Sequence, residues 1–240
     1  MLLDLGDVKV RSWRRDDLKS LVHHANNPKI AANLRDQFPH PYTRRDGIDF
    51  LEYAQAQDPE SSFAIEYGGQ AVGGVGFLLG RDIARISAEM GYWLSEDFWG
   101  RGIATRAVTA VSDWAFDNYK LTRVFAMAFA HNAASIRVLE KSGFLREGLM
   151  RKSAIKNTSI LDQILFAKLR LHLKSETEML SRRLPANHGC RVDESRSDGD
   201  ALVGSGASQG LRCRESGTGR VAAHSRPGYS PVSFPSRRRD

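Results

Sequence analysis

Gly100 and Gly102 lie where an extended stretch ending at Leu94 gives way to a helical pattern starting at Ile103. Glycines leave backbone N–H groups uncovered, and the first turn of a helix has N–H groups with no intrahelical acceptor. The two together make a socket for phosphate. An anion there gains about 0.3–1 kcal/mol from the helix dipole, and up to ~2 kcal/mol when partly buried. Neither common nucleotide loop fits the spacing. Thr105 stands where G-x-G-x-x-G needs its third glycine, and no glycine is followed by lysine and then serine or threonine. The candidate phosphate-holding residues are therefore Trp99, Gly100, Arg101, Gly102, Ile103, Ala104 and Thr105, with Leu94 at the strand end.

A second constellation follows about thirty residues later, running from Asn132 through Ser135, Leu139, Glu140 and Lys141 to Gly143 and Phe144. Asn132 is a good N-cap, Ile136, Val138 and Leu139 can face inward, and Gly143 supplies a left-handed C-terminal residue. Trp99-Gly100-Arg101-Gly102-Ile103-Ala104 resembles the Q/R-x-x-G-x-G/A acetyl-CoA loop of the GNAT N-acetyltransferases, departing at Trp99. The N-x-x-S…E-K-x-G-F run resembles the same family's second cofactor-facing segment. Asn26-Asn27-Pro28 and the stretch from Phe38 to Thr43 resemble the substrate side of its RimJ/RimL-like branch. The resemblance spans residues 8–171. It implies acetyl-CoA as cosubstrate, contacts to it from Asn132 and Ser135, and Phe38 and Tyr42 as walls of an acceptor pocket. It also implies a mixed, mostly antiparallel central sheet flanked by helices, with acetyl-CoA in a splay between two central strands.

The chemistry so implied is direct acetyl transfer from a thioester to a primary amine. The amine attacks only when neutral. At pH 7 deprotonation costs an α-amine roughly 1–1.4 kcal/mol and a lysine amine about 4.6 kcal/mol, from reference pKa values near 7.7–8.0 and 10.4. An α-amine thus needs only a modest general base. Glu89, on the strand leading to the phosphate loop, is the candidate. Strand alternation groups it with Gly91 and Trp93, and a bulge in that strand would turn it away. Many relatives place a tyrosine at the position of Leu139 to protonate the leaving thiolate. Ser135 is the nearest hydroxyl in register and the catalytic candidate in its place. Backbone N–H groups near Leu94 are candidates for polarising the thioester carbonyl. The acceptor is a protein N-terminal amine or a small-molecule amine. An open, acid-lined groove favours a basic peptide, and a closed aromatic pocket favours a metabolite or antibiotic.

These residues need a scaffold, and the chain's periodicity outlines one. Residues 7–13 read as a strand with Val8, Val10 and Ser12 on one side and Lys9, Arg11 and Trp13 on the other. Asp16 caps a helix to about 25, a short helix covers 28–34, and Thr43 caps another to about 57. Strands at 61–67 and 70–79 join through Gly68-Gly69, a hairpin signal. A strand over 83–94, a helix over 103–118, a strand over 123–128, the Asn132 helix and strands over 144–150 and 160–169 complete the order β-α-α-β-β-β-α-β-α-β-β. His23 and His24 are adjacent, so their rings are expected to diverge. No zinc or calcium ligand spacing occurs, and no metal is expected.

Composition bounds the class. A 41% hydrophobic content supports a real core. No stretch approaches the about 18 apolar residues of a membrane span, and the first residues lack a secretory pattern. Cys190 and Cys213 lie outside the enzyme-like region, so a cytoplasmic enzyme is expected. The net charge is +7, with 24 basic and 20 acidic residues up to position 175. That excess is mild and serves a cofactor's phosphates as well as nucleic acid. The domain reading is an acetyltransferase domain over 1–174, a frayed helical extension over 175–184, and a disordered Arg/Ser/Gly-rich tail over 185–240. A homodimer stays open. Two other functions compete with the enzyme: a CoA-binding regulatory module without catalysis, suggested by Leu139, and nucleic-acid binding through the arginine-rich tail.

Overall fold

The computed structural model describes residues 1–170. The expectations for the helical extension and the tail, and the domain boundary at 174, lie outside those residues. One eight-stranded sheet organises the described chain. Its strands are β1 (Leu2–Asp4), β2 (Val8–Ser12), β3 (Ser62–Tyr67), β4 (Gln70–Leu79), β5 (Ser87–Leu94), β6 (Arg123–Phe129), β7 (Leu145–Lys156) and β8 (Ser159–Leu169). They lie in the order β1-β2-β3-β4-β5-β6-β8-β7. Every neighbouring pair is antiparallel except β5 and β6. The helices are α1 (Leu18–Ala25), α2 (Pro28–Ala31), α3 (Arg44–Gln55), α4 (Ile103–Asn118) and α5 (Ala133–Lys141).

The two faces of the sheet bury separate cores, which follows from strand alternation. Val8, Val10, Phe63, Ile65, Val75, Phe77, Ala88, Met90 and Leu94 point to one face, where α4 brings Ile103, Ala107, Val111 and Ala115. Ala64, Ala71 and the half-buried Trp93 point to the other, beneath Leu21, Ala25, Phe38, Tyr42, Phe50 and Leu51 from α1, α3 and the segment between them. Thr43 caps α3 through a reciprocal box with Asp46, and Asn132 caps α5 by accepting from Ser135 N–H.

Several boundaries differ from the sequence reading. The strand expected over 83–94 starts at Ser87, because Asp82–Ala84 forms a 3-10 turn. Arg11, on the strand side it shares with Lys9 and Trp13, is 3% exposed. Its guanidinium donates to both carboxylate oxygens of Asp17 at 2.7 Å and to Glu66, a pairing that makes burial of the charge tolerable. The residues around Asp16 form a 3-10 turn in place of the first turn of α1. The helix expected over 28–34 ends at Ala31. The strand expected over 144–150 continues to Lys156, pairing with β8 through a register irregularity between Met150 and Ala154. β1 was not foreseen, because three residues carry no readable period.

Between β5 and β6 the sheet parts. Parallel pairing holds Ser87, Ala88 and Glu89 against Arg123, Val124 and Phe125 and goes no further, while β5 runs on to Leu94 and β6 to Phe129. Backbone groups of residues 90–94 that face away from β4 are therefore left without a strand partner on that side. Nothing in the sequence spacing pointed to this opening.

Candidate active site

A cavity of about 540 Å³ follows the opening and is lined from both faces of the sheet. β5 sets its polarity. Pairing of β5 with β4 is regular from Ala88 to Leu94, with no bulge. Glu89, Gly91 and Trp93 therefore share the face of α1 and α3, and Tyr92 turns to the face of α4 and α5. Gly74 on β4 makes room for Trp93: a Cβ there would sit 2.7 Å from the indole Nε1.

On the α4 side, the glycine loop opens onto the cavity. Gly102 is the N-cap of α4 with φ 73° and no side-chain cap, and Gly100 has φ 76°. A Cβ at either would meet nothing within 4 Å. Among the described residues, the N–H groups of Gly100 through Thr105 have no acceptor. Gly100, Gly102, Ile103, Ala104 and Thr105 line the cavity, as does the exposed Trp99. The Trp99 indole donates to the Leu94 carbonyl at 2.8 Å, stapling the loop to the end of β5. Arg101 is not on the cavity wall and lies over the Phe98 ring at 5.4 Å. Free amides, open space at both glycines and an unpaired strand segment suit an elongated diphosphate ligand.

Ser135 stands in the first turn of α5, and its Oγ lies 2.7 Å from the Tyr92 hydroxyl. That hydroxyl also donates to the Ser135 carbonyl at 3.1 Å, and burial pushes the phenol up to about 12. The two hydroxyls thus meet across the mouth of the splay. Leu139 is 1% exposed within the core. Sequence reasoning missed Tyr92 because its partner is 43 residues away on another element; its one legible sign was its place on the α4-facing side of β5.

On the opposite face, Glu89 accepts from the Arg35 guanidinium. Burial raises the Glu89 carboxyl above the usual range, and the arginine opposes that rise. Arg35 lies just beyond α2, and Lys156, 9% exposed, holds the neighbouring Asp36 at 2.8 Å. The arginine was absent from the sequence reading, being 54 residues from Glu89 in the chain. Phe38 lines the cavity and meets Trp93 edge-on at 5.7 Å. Tyr42 sits behind it, 5.2 Å away and 4% exposed, and is not on the cavity wall.

The histidine pair departs from expectation. The rings of His23 and His24 lie 4.8 Å apart, edge to face, where divergence was expected. His24 is buried, its Nδ1 is 3.0 Å from Ser95 Oγ, and its Nε2 has no hydrogen-bond partner among the described residues. Among those residues no group of three or more His, Cys, Asp or Glu is placed to hold a metal ion, and no helix is long and apolar enough to cross a membrane.

The parted mixed sheet thus has a glycine-lined helix start at one lip of the cavity and a half-buried carboxylate at the other. Residues 7–145 match the family described as the acetyltransferase (GNAT) domain, and the chain belongs to that family. It is similar to the putative ribosomal N-acetyltransferase YdaF of Bacillus subtilis, with 30% identity over 172 residues, covering 72% of this chain and 87% of the relative. The spermidine N(1)-acetyltransferase of Escherichia coli K12 is 29% identical over 147 residues, covering 59% of this chain and 74% of the relative. A solved ribosomal L7/L12 acetyltransferase, RimL in complex with coenzyme A, shares the fold with a TM-score of 0.64 at 18% identity, covering 70% of this chain and 98% of that one. The protein is thus a GNAT acetyltransferase, in a family that uses acetyl-CoA.

Proposed function

We propose that this enzyme transfers the acetyl group of acetyl-CoA directly to a primary amine held in a ternary complex. One observation carries the reading: the opening between β5 and β6 has Glu89 on one face and the Tyr92–Ser135 hydroxyl pair on the other. A cosubstrate on the α4 side and an acceptor on the α1–α3 side then meet through the sheet. Acetyl-CoA supplies an activated acyl carbon and a thiol leaving group. The amides of residues 100–105 hold its diphosphate, with Asn132 and Ser135 beside the pantetheine.

The chemical step follows from these positions. The amine nitrogen bonds to the acyl carbon as the carbon–sulfur bond breaks. Glu89 takes the amine's proton, its raised carboxyl being a better base than an exposed one. Ser135, positioned by Tyr92, hydrogen-bonds the departing sulfur, which leaves as a thiolate and takes its proton from solvent. The Tyr92 phenol is protonated at neutral pH and burial pushes it further up, so it serves as a hydrogen-bond partner to Ser135 and keeps its proton. Homologues include enzymes named for spermidine and for ribosomal-protein serine, and both a small amine and a protein N-terminus satisfy this chemistry.

Thiol release from acetyl-CoA, followed with a chromogenic disulfide across a panel of amines, tests the proposal. Release that depends on an acceptor is the expected result. Tight CoA binding with no acceptor-dependent thiol would overturn it and favour the non-catalytic CoA-binding module.

A further inference from the structure

The acceptor side of the cavity has a charge balance that narrows its substrate. Among the described residues lining the entire cavity, Glu89 is the only carboxylate, against the cations Lys29, Arg35, Arg137 and Lys141. Arg137 and Lys141 belong to α5, on the cosubstrate side. Lys29 is paired with Glu96. Arg35 is paired with Glu89 itself, on a segment anchored by the Lys156–Asp36 bridge. Phe38, Phe50, Tyr53 and Trp93 make much of the remaining wall aromatic. An acceptor with several cations, such as a polyamine, would find one carboxylate here, already shared with an arginine.

The Arg35–Glu89 pair also bears on the proton transfer. While the guanidinium sits on Glu89, its charge favours the ionised carboxylate and opposes proton uptake. An acceptor bringing its own carboxylate resolves this by exchanging partners. Its ammonium goes to Glu89 and its carboxylate to Arg35, so no charge is left unpaired in a half-buried site. The planar fork of arginine suits such a carboxylate. An acceptor lacking that group leaves its ammonium and Arg35 competing for one carboxylate.

Building on the acetyl-transfer reading, we propose that the acceptor is a small amino-acid-like zwitterion, with one amino group beside one carboxylate and an apolar or aromatic side chain. Arg35 is the residue that selects it, by binding the carboxylate. A site built around a charged group discriminates strongly against the analogue that lacks it.

The test uses full-length protein saturated with CoA, which cannot transfer an acetyl group, titrated calorimetrically. The probes are phenylalanine, tyrosine, tryptophan, leucine and methionine, the amide of each, spermidine, and a hexapeptide amide beginning with phenylalanine. The same panel is then run for thiol release with acetyl-CoA. At least one free acid is expected to bind tenfold or more tightly than its own amide. Arg35→Ala should bring the acid down to the level of the amide, Arg35→Lys should restore part of the difference, and CoA affinity should be unchanged in both. The proposal is overturned if none of the acids binds, if acid and amide bind alike, if the preference survives Arg35→Ala, or if spermidine or the peptide binds best. Thiol release without acid preference sinks this acceptor class alone. Acid-selective binding without thiol release sinks acetyl transfer alone.

Discussion

Gly102→Asp separates the fold from the cofactor site more sharply than any other change. The residue caps α4 with φ 73°, and a Cβ there meets nothing within 4 Å. Steric overlap is therefore absent, and the folding cost is the left-handed backbone penalty, about 1–2 kcal/mol for an L-residue and less for aspartate, whose side chain tolerates this region. A carboxylate at a helix N-terminus returns about 0.3–1 kcal/mol through the dipole. Stability of the free protein should thus move by no more than about 1 kcal/mol. Ligand binding moves far more. A carboxylate about 4 Å from a diphosphate charge costs about 4 kcal/mol at an effective dielectric near 20, close to a thousandfold in Kd. Wild-type protein at a hundred times its Kd gains about 2.7 kcal/mol from the ligand, and the variant should gain almost none. Thermal unfolding with and without CoA reads both quantities. A variant that melts normally and still shows the full CoA-dependent rise in Tm would refute the assignment of the diphosphate to residues 100–105.

Other expectations follow from the same geometry. Glu89→Gln should lower kcat by about 10²-fold or more, within the range for a lost general base, with CoA affinity intact; a wild-type rate would remove Glu89 from the reaction. Because Glu89 must be ionised to accept the proton and burial raises its carboxyl, the acid limb of the kcat/KM profile should lie above the ordinary carboxylate range. Arg35→Ala should move that limb to still higher pH, since the lowering influence of the guanidinium is gone. Tyr92→Phe should reduce kcat with little change in stability, since Ser135 loses the hydroxyl that orients it. Asn132→Ala should cost about 1 kcal/mol from the lost cap, measurable by urea unfolding, and weaken CoA binding. Burial chiefly, and His23 further, disfavours the protonated form of His24, so the unfolded state binds its proton first on acidification. Stability should fall as pH drops from about 6.5, the ordinary histidine value, towards the lowered native value; His24→Gln should flatten that slope in thermal melts.

Much of this could be read along the chain, because it was encoded locally. Gly100 and Gly102 announce a helix start with open amides, Asn132 and Gly143 bracket α5, and Gly68-Gly69 turns β3 into β4, each through the conformation of a few consecutive residues. Strand alternation placed Glu89 with Trp93, and the even pairing of β5 with β4 leaves that face unchanged. Decisions made by distant partners were not legible. The burial of Arg11 depends on Asp17 and Glu66, the carboxyl of Glu89 on Arg35, and the orientation of Ser135 on Tyr92. The loss of pairing beyond Glu89 and Phe125 comes from how two strands diverge in space, which neither strand's own period records. Local backbone chemistry prepared a helix start with free amides and set the face of Glu89, and only the parted sheet put the two on opposite sides of one passage.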